Sequence, residues 1–419
     1  MLTQGRIAAT AYKPDAAKVQ IPMLVWLVLA CTLIAIYGGE IFGFNISGLA
    51  WVFPLFFSLL VLSRNPNRIS FPVKIWLPWI VLLFSYLIYV VLDGKPVYFR
   101  VSPVQRTFQI LSPVFVGMAI STCDATPRMV EKLTRLLRWF TYVLIGEILL
   151  IAGSQFVELS RTGLATDVMT IMLLAVYFAN RYLLFSEKQD LQLWLFLVCM
   201  PVLAITRMGI AATLLTLPLS FSPMSLMRRA VILALIGCLG IAIFQLPEIQ
   251  KKMFRSGEGE ITSINITDIG RNEDLDTSGR ASMWHYLESI ADEKPWTGHG
   301  TGQAETAIFL FTGGMSGYPH NDWLLTYFDY GILGLVVYGT TMLFAALHGF
   351  KCRKACRSKN TMLLLMTGIS AFVPFSIVMY TDNIMVYASF FGNLQFIILG
   401  IAYAALRTEQ VASSPRRTQ

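Results

Sequence analysis

The sequence predicts an all-α, polytopic membrane protein with about twelve transmembrane helices and one large extracytoplasmic loop between spans nine and ten. Composition and the spacing of apolar runs indicate this class. Of the 419 residues, 55% are hydrophobic and 14% are charged, whereas a soluble domain of this size needs more charge to cover its surface. Apolar runs of about 20 residues recur along the chain, and a run of that length crosses a hydrocarbon core of about 30 Å as a helix.

Twelve apolar runs are predicted to cross the membrane. The first begins near Ile21, after a polar and basic stretch, and no small-residue cleavage site follows it, which indicates a span rather than a signal peptide. The eighth is short and contains Pro218, which is typical of a tilted or broken helix. The predicted spans are roughly 21–39, 45–63, 73–92, 107–122, 137–155, 163–185, 190–206, 209–222, 229–246, 322–348, 361–380 and 385–406.

The distribution of basic residues predicts the orientation. With the N-terminus inside, 22 of the 33 Lys and Arg residues fall in cytoplasmic segments, five in short outer loops and six in the long loop. Cytoplasmic loops of membrane proteins carry such an excess of positive charge, so both termini are predicted to be cytoplasmic. The net charge of +8 then reflects topology and anionic lipid, and we expect no nucleic-acid partner.

One long connection divides the chain. A loop of this length inside a compact protein is usually functional or disordered. Residues 280–293 have the apolar periodicity of an amphipathic helix, and none of the six cysteines falls in the loop, so it is predicted to fold without a disulfide. The predicted organisation is spans one to nine in 1–246, the extracytoplasmic loop with short helices in 247–321, and spans ten to twelve with a cytoplasmic tail in 322–419.

Several arginines are candidates for binding an anionic ligand. Arg207 lies in an apolar stretch at the outer end of a predicted hairpin, where a charge is expensive and usually faces a polar cavity; the alternative is that it reaches the outer headgroups. Arg280 opens the loop helix, where a solvated charge paired with a nearby carboxylate is the simpler interpretation. Arg100 and Arg106 are predicted on an outer loop, against the topological bias, which favours either an anionic ligand or a headgroup contact.

Histidine side chains are the candidate bases, since imidazole exchanges protons near neutral pH. Three of the four histidines lie in the long loop. His320 is the best candidate because it is fixed between Pro319 and the start of a helix, although a lone histidine is more often structural. His299 lies between glycines and could be a turn residue. The sequence has no paired Cys/His spacing typical of a metal site, so a metal-independent mechanism is predicted.

Three segments carry a family resemblance. They are, in chain order, Thr206-Arg207-Met208-Gly209; Gly279-Arg280 with Trp284, Pro295 and Gly298-His299-Gly300-x-Gly302; and Pro319-His320-Asn321 with Leu325 and Tyr330-Gly331-Ile332-Leu333-Gly334. Together they resemble the O-antigen ligase/polymerase (Wzy-C) family of bacterial inner-membrane glycosyltransferases, over roughly residues 200–335. Met208 and Tyr330 replace residues more usual at those positions, which bears on the subtype more than on the family.

The resemblance implies a GT-C-like fold and a multi-pass enzyme of the bacterial cell inner membrane whose active site faces the periplasm. Such an enzyme transfers a glycan from an undecaprenyl-diphosphate-linked oligosaccharide to an acceptor hydroxyl. It needs no metal and no other cofactor, and direct attack at the anomeric carbon predicts inversion. Its implied partners are the lipid-linked oligosaccharide, the lipid bilayer and a chain-length regulator protein.

The resemblance also implies roles for individual residues. Arg207 and Arg280 would stabilise the negative charge that grows on the diphosphate as the glycosidic bond breaks, because a guanidinium offers paired donors to phosphate oxygens. His320 would take the proton of the acceptor, while Asn321 holds its ring. Five side chains are expected to bind the diphosphate or the glycan: Arg100, Arg106, Asn321, Trp284 and His299.

Three functions fit the sequence. A polymerase extends a growing repeat-unit polymer (O-antigen or exopolysaccharide), and this is the predicted function. A ligase that moves finished polymer onto lipid A-core shares the same motifs and is the alternative. A lipid-linked oligosaccharide flippase or other transporter is a further alternative, but it would be expected to show repeated halves, and no internal repeat is evident.

Overall fold

The protein is almost entirely helical in a computed structural model. The structure describes residues 20–37, 40–41, 44–45, 50–93, 102–154, 164–203, 207–260, 275–277, 279–387 and 391–412. Within these ranges the only named strands are a two-residue antiparallel pair, β1 (Glu40–Ile41) and β2 (Phe44–Asn45). The predicted all-α class is confirmed.

The helices begin and end as follows, in chain order. They are α1 (Met23–Tyr37), α2 (Val52–Arg64), α3 (Val73–Asp93), α4 (Pro103–Ile120), α5 (Pro127–Ser154), α6 (Leu164–Phe185), α7 (Lys188–Leu203), α8 (Arg207–Leu215), α9 (Leu226–Phe244), α10 (Pro247–Met253), α11 (Arg280–Ala291), α12 (Gln303–Phe311), α13 (Asp322–Cys352), α14 (Lys359–Ser370), α15 (Phe372–Val378), α16 (Ile384–Tyr387) and α17 (Asn393–Val411), with short 3-10 helices at Pro66–Arg68 and Arg353–Ala355.

A helix overlaps each of the twelve predicted spans, while the number of crossings and the position of the loop outside the membrane stay predictions. In the part of the chain that the structure describes, five helices are long and apolar enough to cross a membrane: Val73–Leu92, Val168–Phe185, Leu226–Phe244, Asp322–Ala355 and Lys359–Val378. The predicted eighth span contains only the nine-residue α8. Helix α9 exposes apolar side chains along almost its whole length, as expected of a helix that faces hydrocarbon.

Small residues allow the central helices to pack closely. Helix α17 packs against α4 and α14, and α6 packs against α7 and α14. A Cβ added to Gly400 of α17 would lie 2.5 Å from the carbonyl oxygen of Gly117 on α4, so glycine is required for this approach. Small residues at helix contacts are typical of membrane proteins, where close backbone packing replaces the hydrophobic effect.

A second, smaller apolar cluster fastens the segment before α13 to the N-terminal half of that helix. Helices α11 and α12 both pack against α13. We refer to α11, α12 and the first turns of α13 as the α11–α13 module. Its buried apolar side chains are Met283, Trp284, Leu287, Ala291, Ala304, Ile308, Leu324, Leu325 and Phe328.

Helix α13 is kinked at Gly331, and the kink receives the glycine-rich loop that follows α11. Gly331 has φ 65° and ψ −165°, which breaks the regular hydrogen bonding of the helix. The freed N–H groups of Ile332 and Leu333 donate to the carbonyls of Pro295 and Trp296, at 2.8 and 3.3 Å. The loop therefore replaces the missing bonds within the helix.

The spacing of the loop glycines is explained by how closely the loop approaches α13. The N–H of Gly300 donates to the carbonyl of Asp329 at 2.8 Å. A Cβ on Gly298 would lie 2.5 Å from the backbone carbon of Asp329, and both loop glycines have positive φ values of 66° and 109°. The motif thus acts as a close-packing element.

Candidate active site

His320 lies in a strained turn immediately before α13, and a second loop holds it there. Its φ is +52°, and it is one of two non-glycine residues with positive φ among those described. Its N–H donates to Oδ1 of Asn383 at 2.8 Å. Strain of this kind persists only where the surrounding structure enforces it, and it is concentrated at functional sites. About a third of the side chain (32%) remains exposed.

Two side chains compete for Nδ1 of the His320 ring. Oδ1 of Asp382 lies 3.3 Å from Nδ1, and Nδ2 of Asn383 lies 3.0 Å from it. Since Oδ1 of Asn383 already accepts the backbone N–H of His320, its amide is oriented with Nδ2 towards the ring. Asn383 therefore stabilises the tautomer with a bare Nδ1, whereas Asp382 stabilises a protonated Nδ1 and with it a free Nε2.

Asp382 is kept ionised by the groups around it. Burial by itself raises the pKa of this carboxyl, but the hydrogen bonds from His320 and from the N–H of Asn383, together with the charge of Arg280, outweigh it. The pKa of Asp382 therefore lies below its ordinary value. The N–H of Asn383 donates to Oδ1 at 2.8 Å. An ionised carboxylate beside Nδ1 favours an imidazolium that forms during a reaction.

Arg280, at the start of α11, is brought to the same turn. Its Nη1 donates to the carbonyl of Thr381 at 2.6 Å, one residue before Asp382. The structure thus brings Arg280 and His320 to residues 380–383, which include Asp382. We call these four residues the site turn. A histidine, a carboxylate and a guanidinium are positioned together, although they lie up to 102 positions apart in the sequence.

Trp284 positions the segment that carries His320. The side chain is 6% exposed, and its Nε1 donates to the carbonyl of Pro319 at 2.7 Å. Its ring also packs on Tyr380 of the site turn, with centroids 6.0 Å apart. The structure thereby gives this predicted substrate-binding residue a positioning role, since its only polar atom is already bonded to the protein backbone.

Asn321 does not hold the ring of His320, and this predicted role is wrong. Its Oδ1 accepts the N–H of Leu324 at 3.0 Å, so the side chain caps the N-terminus of α13. The first N–H groups of a helix lack partners within it, and asparagine satisfies them well from this position. Asp382 and Asn383 hold the ring instead. The neighbouring Asp322 is fully buried and accepts the N–H of Met385 at 2.6 Å, which fixes the site turn against α13.

Arg106 is not on an outer loop, which corrects its predicted placement. It lies in the first turn of α4, is 3% exposed and forms a buried salt bridge with Glu305 of α12. A further bond runs from Nη1 to Oε1 of Gln109 at 3.2 Å. A guanidinium enclosed in this way fastens α12 to α4 and is not open to a diphosphate in this conformation.

His299 is also occupied by contacts within the protein. Its Nε2 lies 3.0 Å from the carbonyl of Ile290, and its ring stacks on Phe328 with centroids 4.6 Å apart. Its N–H donates to the carbonyl of Phe328 at 2.8 Å. These contacts match the turn residue considered from the sequence, and they give the side chain a structural role instead of the expected ligand contact.

The structure does not describe the side chains of two predicted arginines. Arg100 lies outside the described residues. Arg207 is the first residue of α8, but its side chain is outside the described part, as is Thr206 of the same motif. Their expected contacts with the diphosphate therefore stay predictions.

Two site residues, Asp382 and Asn383, were missed from the sequence. They lie between the predicted spans eleven and twelve, in the segment Met379-Tyr-Thr-Asp-Asn-Ile-Met385. A charged and an amide side chain in a short connection between apolar spans was the available signal, because polar groups held at a membrane surface are frequently functional. Among the described residues, no group of three or more His, Cys, Asp or Glu side chains could hold a metal ion.

Comparison with known proteins supports the resemblance noted from the motifs. Residues 191–339 match the Wzy_C family model, described as O-Antigen ligase. This segment contains Arg207, Arg280 and His320, and the match confirms the family resemblance of that part of the chain. The site turn lies beyond the matched segment. No curated protein matches the chain.

Proposed function

We propose that this chain is a polysaccharide polymerase that transfers a glycan from an undecaprenyl-diphosphate-linked donor to an acceptor sugar hydroxyl at the periplasmic face of the inner membrane. The match to the O-antigen ligase family supports glycosyl transfer of this type. The observation that carries the proposal is the convergence of His320, Asp382 and Arg280 at the site turn. Each of these groups suits one requirement of the reaction.

The histidine serves as the base. When Nδ1–H donates to Asp382, Nε2 is free to accept the proton of the acceptor hydroxyl, and the resulting imidazolium lies beside a carboxylate. The acceptor oxygen then forms a bond to the anomeric carbon as the bond from that carbon to the diphosphate oxygen breaks. Direct displacement of this kind inverts the configuration. The proton leaves the ring to solvent, since His320 is partly exposed.

The arginines serve the leaving group. Breaking the glycosidic bond returns a full negative charge to the diphosphate, and a guanidinium can donate two parallel hydrogen bonds to its oxygens. Nη1 of Arg280 donates to the carbonyl of Thr381, and the other N–H donors of the guanidinium are proposed to bind the ligand. Arg207, at the start of α8 within the matched segment, is proposed as the second guanidinium.

The alternative acceptor is lipid A-core, which would make the chain a ligase. The family model is described by that activity, and the same three side chains would perform the transfer. Flipping of a lipid-linked oligosaccharide is the less supported function, since it requires no base and no carboxylate beside it.

The test uses a host that lacks the chromosomal gene and receives variants of it. His320→Ala and Arg280→Ala are expected to abolish surface polymer on a gel at normal membrane expression. The matched controls are His285→Ala and Arg255→Ala, because both side chains are exposed. Full polymer from either site variant would contradict the proposal.

The same gel separates the two acceptors. Lipid A-core that carries a single repeat unit in the null host indicates a lost polymerase. Polymer that accumulates on undecaprenyl diphosphate indicates a lost ligase.

A further inference from the structure

The segment between Glu305 and His320 differs in composition from the rest of the predicted loop. Residues 306–319 contain no charged side chain, whereas the loop from 247 to 321 holds eleven Asp and Glu residues. Three large apolar side chains of this segment are exposed: Leu310 by 57%, Phe311 by 44% and Met315 by 89%. We call them the apolar tip. Large apolar side chains exposed together in one uncharged segment mark a site of interaction with a membrane or a partner.

The N-terminal end of α12, which leads to the tip, is fixed among the membrane helices. The N–H groups of Gly302 and Ala304 donate to the carboxylate of Asp329 at 2.7 and 2.8 Å. Asp329 lies two turns inside α13, the longest apolar helix of the structure. Glu305 adds its buried salt bridge to the first turn of α4. Helix α12 therefore begins beside the second turn of α13 and the first turn of α4.

The other end of the segment is fixed at the start of α13. His320 contacts Asp382, and Asp382 lies four residues after Val378, where the apolar stretch of α14 and α15 ends. A stretch of 20 helical residues spans about 30 Å, which is the thickness of the hydrocarbon core. A span that ends at Val378 would therefore place the site turn at the hydrocarbon boundary, and the apolar tip is held between this turn and Asp329.

Trp296 presents a further large exposed side chain on the neighbouring loop. Its side chain is 70% exposed, although its carbonyl accepts the N–H of Leu333 within α13. The backbone around it is fixed by the kink, since a Cβ on Gly331 would lie 2.4 Å from the Trp296 carbonyl. Exposed tryptophans are typical of the interfacial belt of membrane proteins.

We propose that the apolar tip and Trp296 insert into the outer leaflet of the membrane, so that α12 is an interfacial helix. Its buried face, with Ala304 and Ile308, packs on α11 and α13. One face of the Phe311 ring stacks on Tyr286 of α11, and the exposed side with Leu310 and the rest of Phe311 enters the lipid. An amphipathic helix of this kind lies in the plane of the bilayer surface. The site at His320 is then reached along the bilayer surface, five residues from Met315.

Spin labels test the proposal in proteoliposomes and do not depend on enzymatic activity, so its failure is distinguishable from failure of the proposed function. Single cysteines replace Phe311 and Met315 in a chain whose six native cysteines are removed. Leu235→Cys on α9 reports lipid, and Glu293→Cys, an exposed charged position of the loop, reports water. Collision rates with oxygen and with a water-soluble nickel chelate are compared.

The tip labels are expected to collide with oxygen in preference to the chelate, as the α9 label does. A preference for the chelate, as at Glu293, would overturn the proposal, and so would protection from both reagents, which would indicate that the tip is covered by protein. If the cysteine-free chain does not fold, a phospholipid with a photoreactive acyl chain labels the unmodified protein. Label within 306–319 is expected, and label confined to the spans would refute insertion.

Discussion

Replacement of Asp382 by Asn tests whether the carboxylate selects the active tautomer of His320. The substitution keeps the shape of the side chain and removes its charge. In the wild type, Asp382 at 3.3 Å opposes Asn383 at 3.0 Å for the same ring nitrogen. Without the charge, the amide of Asn383 prevails, Nδ1 stays bare and Nε2 carries the proton. The base is then lost although the ring stays in place.

The size of the effect follows from the bond that is weakened. A hydrogen bond to a charged group contributes about 1.5–3 kcal/mol, and each 1.36 kcal/mol changes a rate about tenfold. We therefore expect kcat of Asp382→Asn to fall about 10- to 150-fold. The KM for the lipid-linked donor should change little, because Asp382 acts through His320 and not on the diphosphate.

The assay is steady-state transfer by the purified protein in proteoliposomes with a lipid-linked repeat unit. Glu293→Gln removes an exposed carboxylate of the same loop and is the matched control. An unchanged kcat in Asp382→Asn would refute the tautomer argument. A loss confined to KM would refute it too, since that result would place Asp382 in donor binding.

Three further predictions concern the support of the site. Trp284→Phe removes the bond to Pro319 and is expected to cost about 1 kcal/mol of stability and to lower kcat, as measured by thermal unfolding and transfer rate. Glu305→Ala leaves the buried charge of Arg106 unpaired and should destabilise the protein by about 3–5 kcal/mol, seen as loss of folded protein in detergent, whereas Arg106→Met with Glu305→Leu should recover much of it. Because the pKa of Asp382 is lowered on folding, its ionised form contributes stability above the ordinary aspartate range and loses it as pH falls. The stability difference between wild type and Asp382→Asn should therefore be full at neutral pH, begin to fall below about pH 4, and disappear only as the pH drops below the lowered pKa of Asp382.

The parts of the site that the sequence predicts are those whose signal is local. Arg280 and His320 stand in short motifs, and α11 follows from a single apolar stripe, so all three could be identified without a structure. The helical class follows in the same way from long apolar runs. The number of crossings does not, because short helices such as α8 lack the length that marks a span.

The errors arise where two distant residues decide the outcome. Arg106 stands in a sequence context that is typical of a ligand-binding arginine. Its partner Glu305, however, is 199 residues away and is not identifiable from spacing. Asn321 is adjacent to His320 in the sequence, yet its side chain accepts the N–H of Leu324 at the start of α13 and does not contact the ring. The ring is left to the distant site turn, which no local pattern connects with His320.

The glycine motif illustrates a third kind of limit. The sequence identifies Gly298, Gly300 and Gly302 as part of a family motif, but it does not show what they do. Their purpose is the close approach to Asp329 and Gly331 of α13. That contact can be recognised only once the kink is known.

The most direct test of the proposed reaction is transfer by the purified wild-type chain in proteoliposomes that contain a synthetic polyprenyl-diphosphate-linked repeat unit and no other protein. We expect longer lipid-linked glycans without added metal or nucleotide sugar, with the new linkage inverted at the anomeric carbon by NMR, and no product from His320→Ala. Product formed with retention of configuration, or equally well by the His320 variant, would contradict the account.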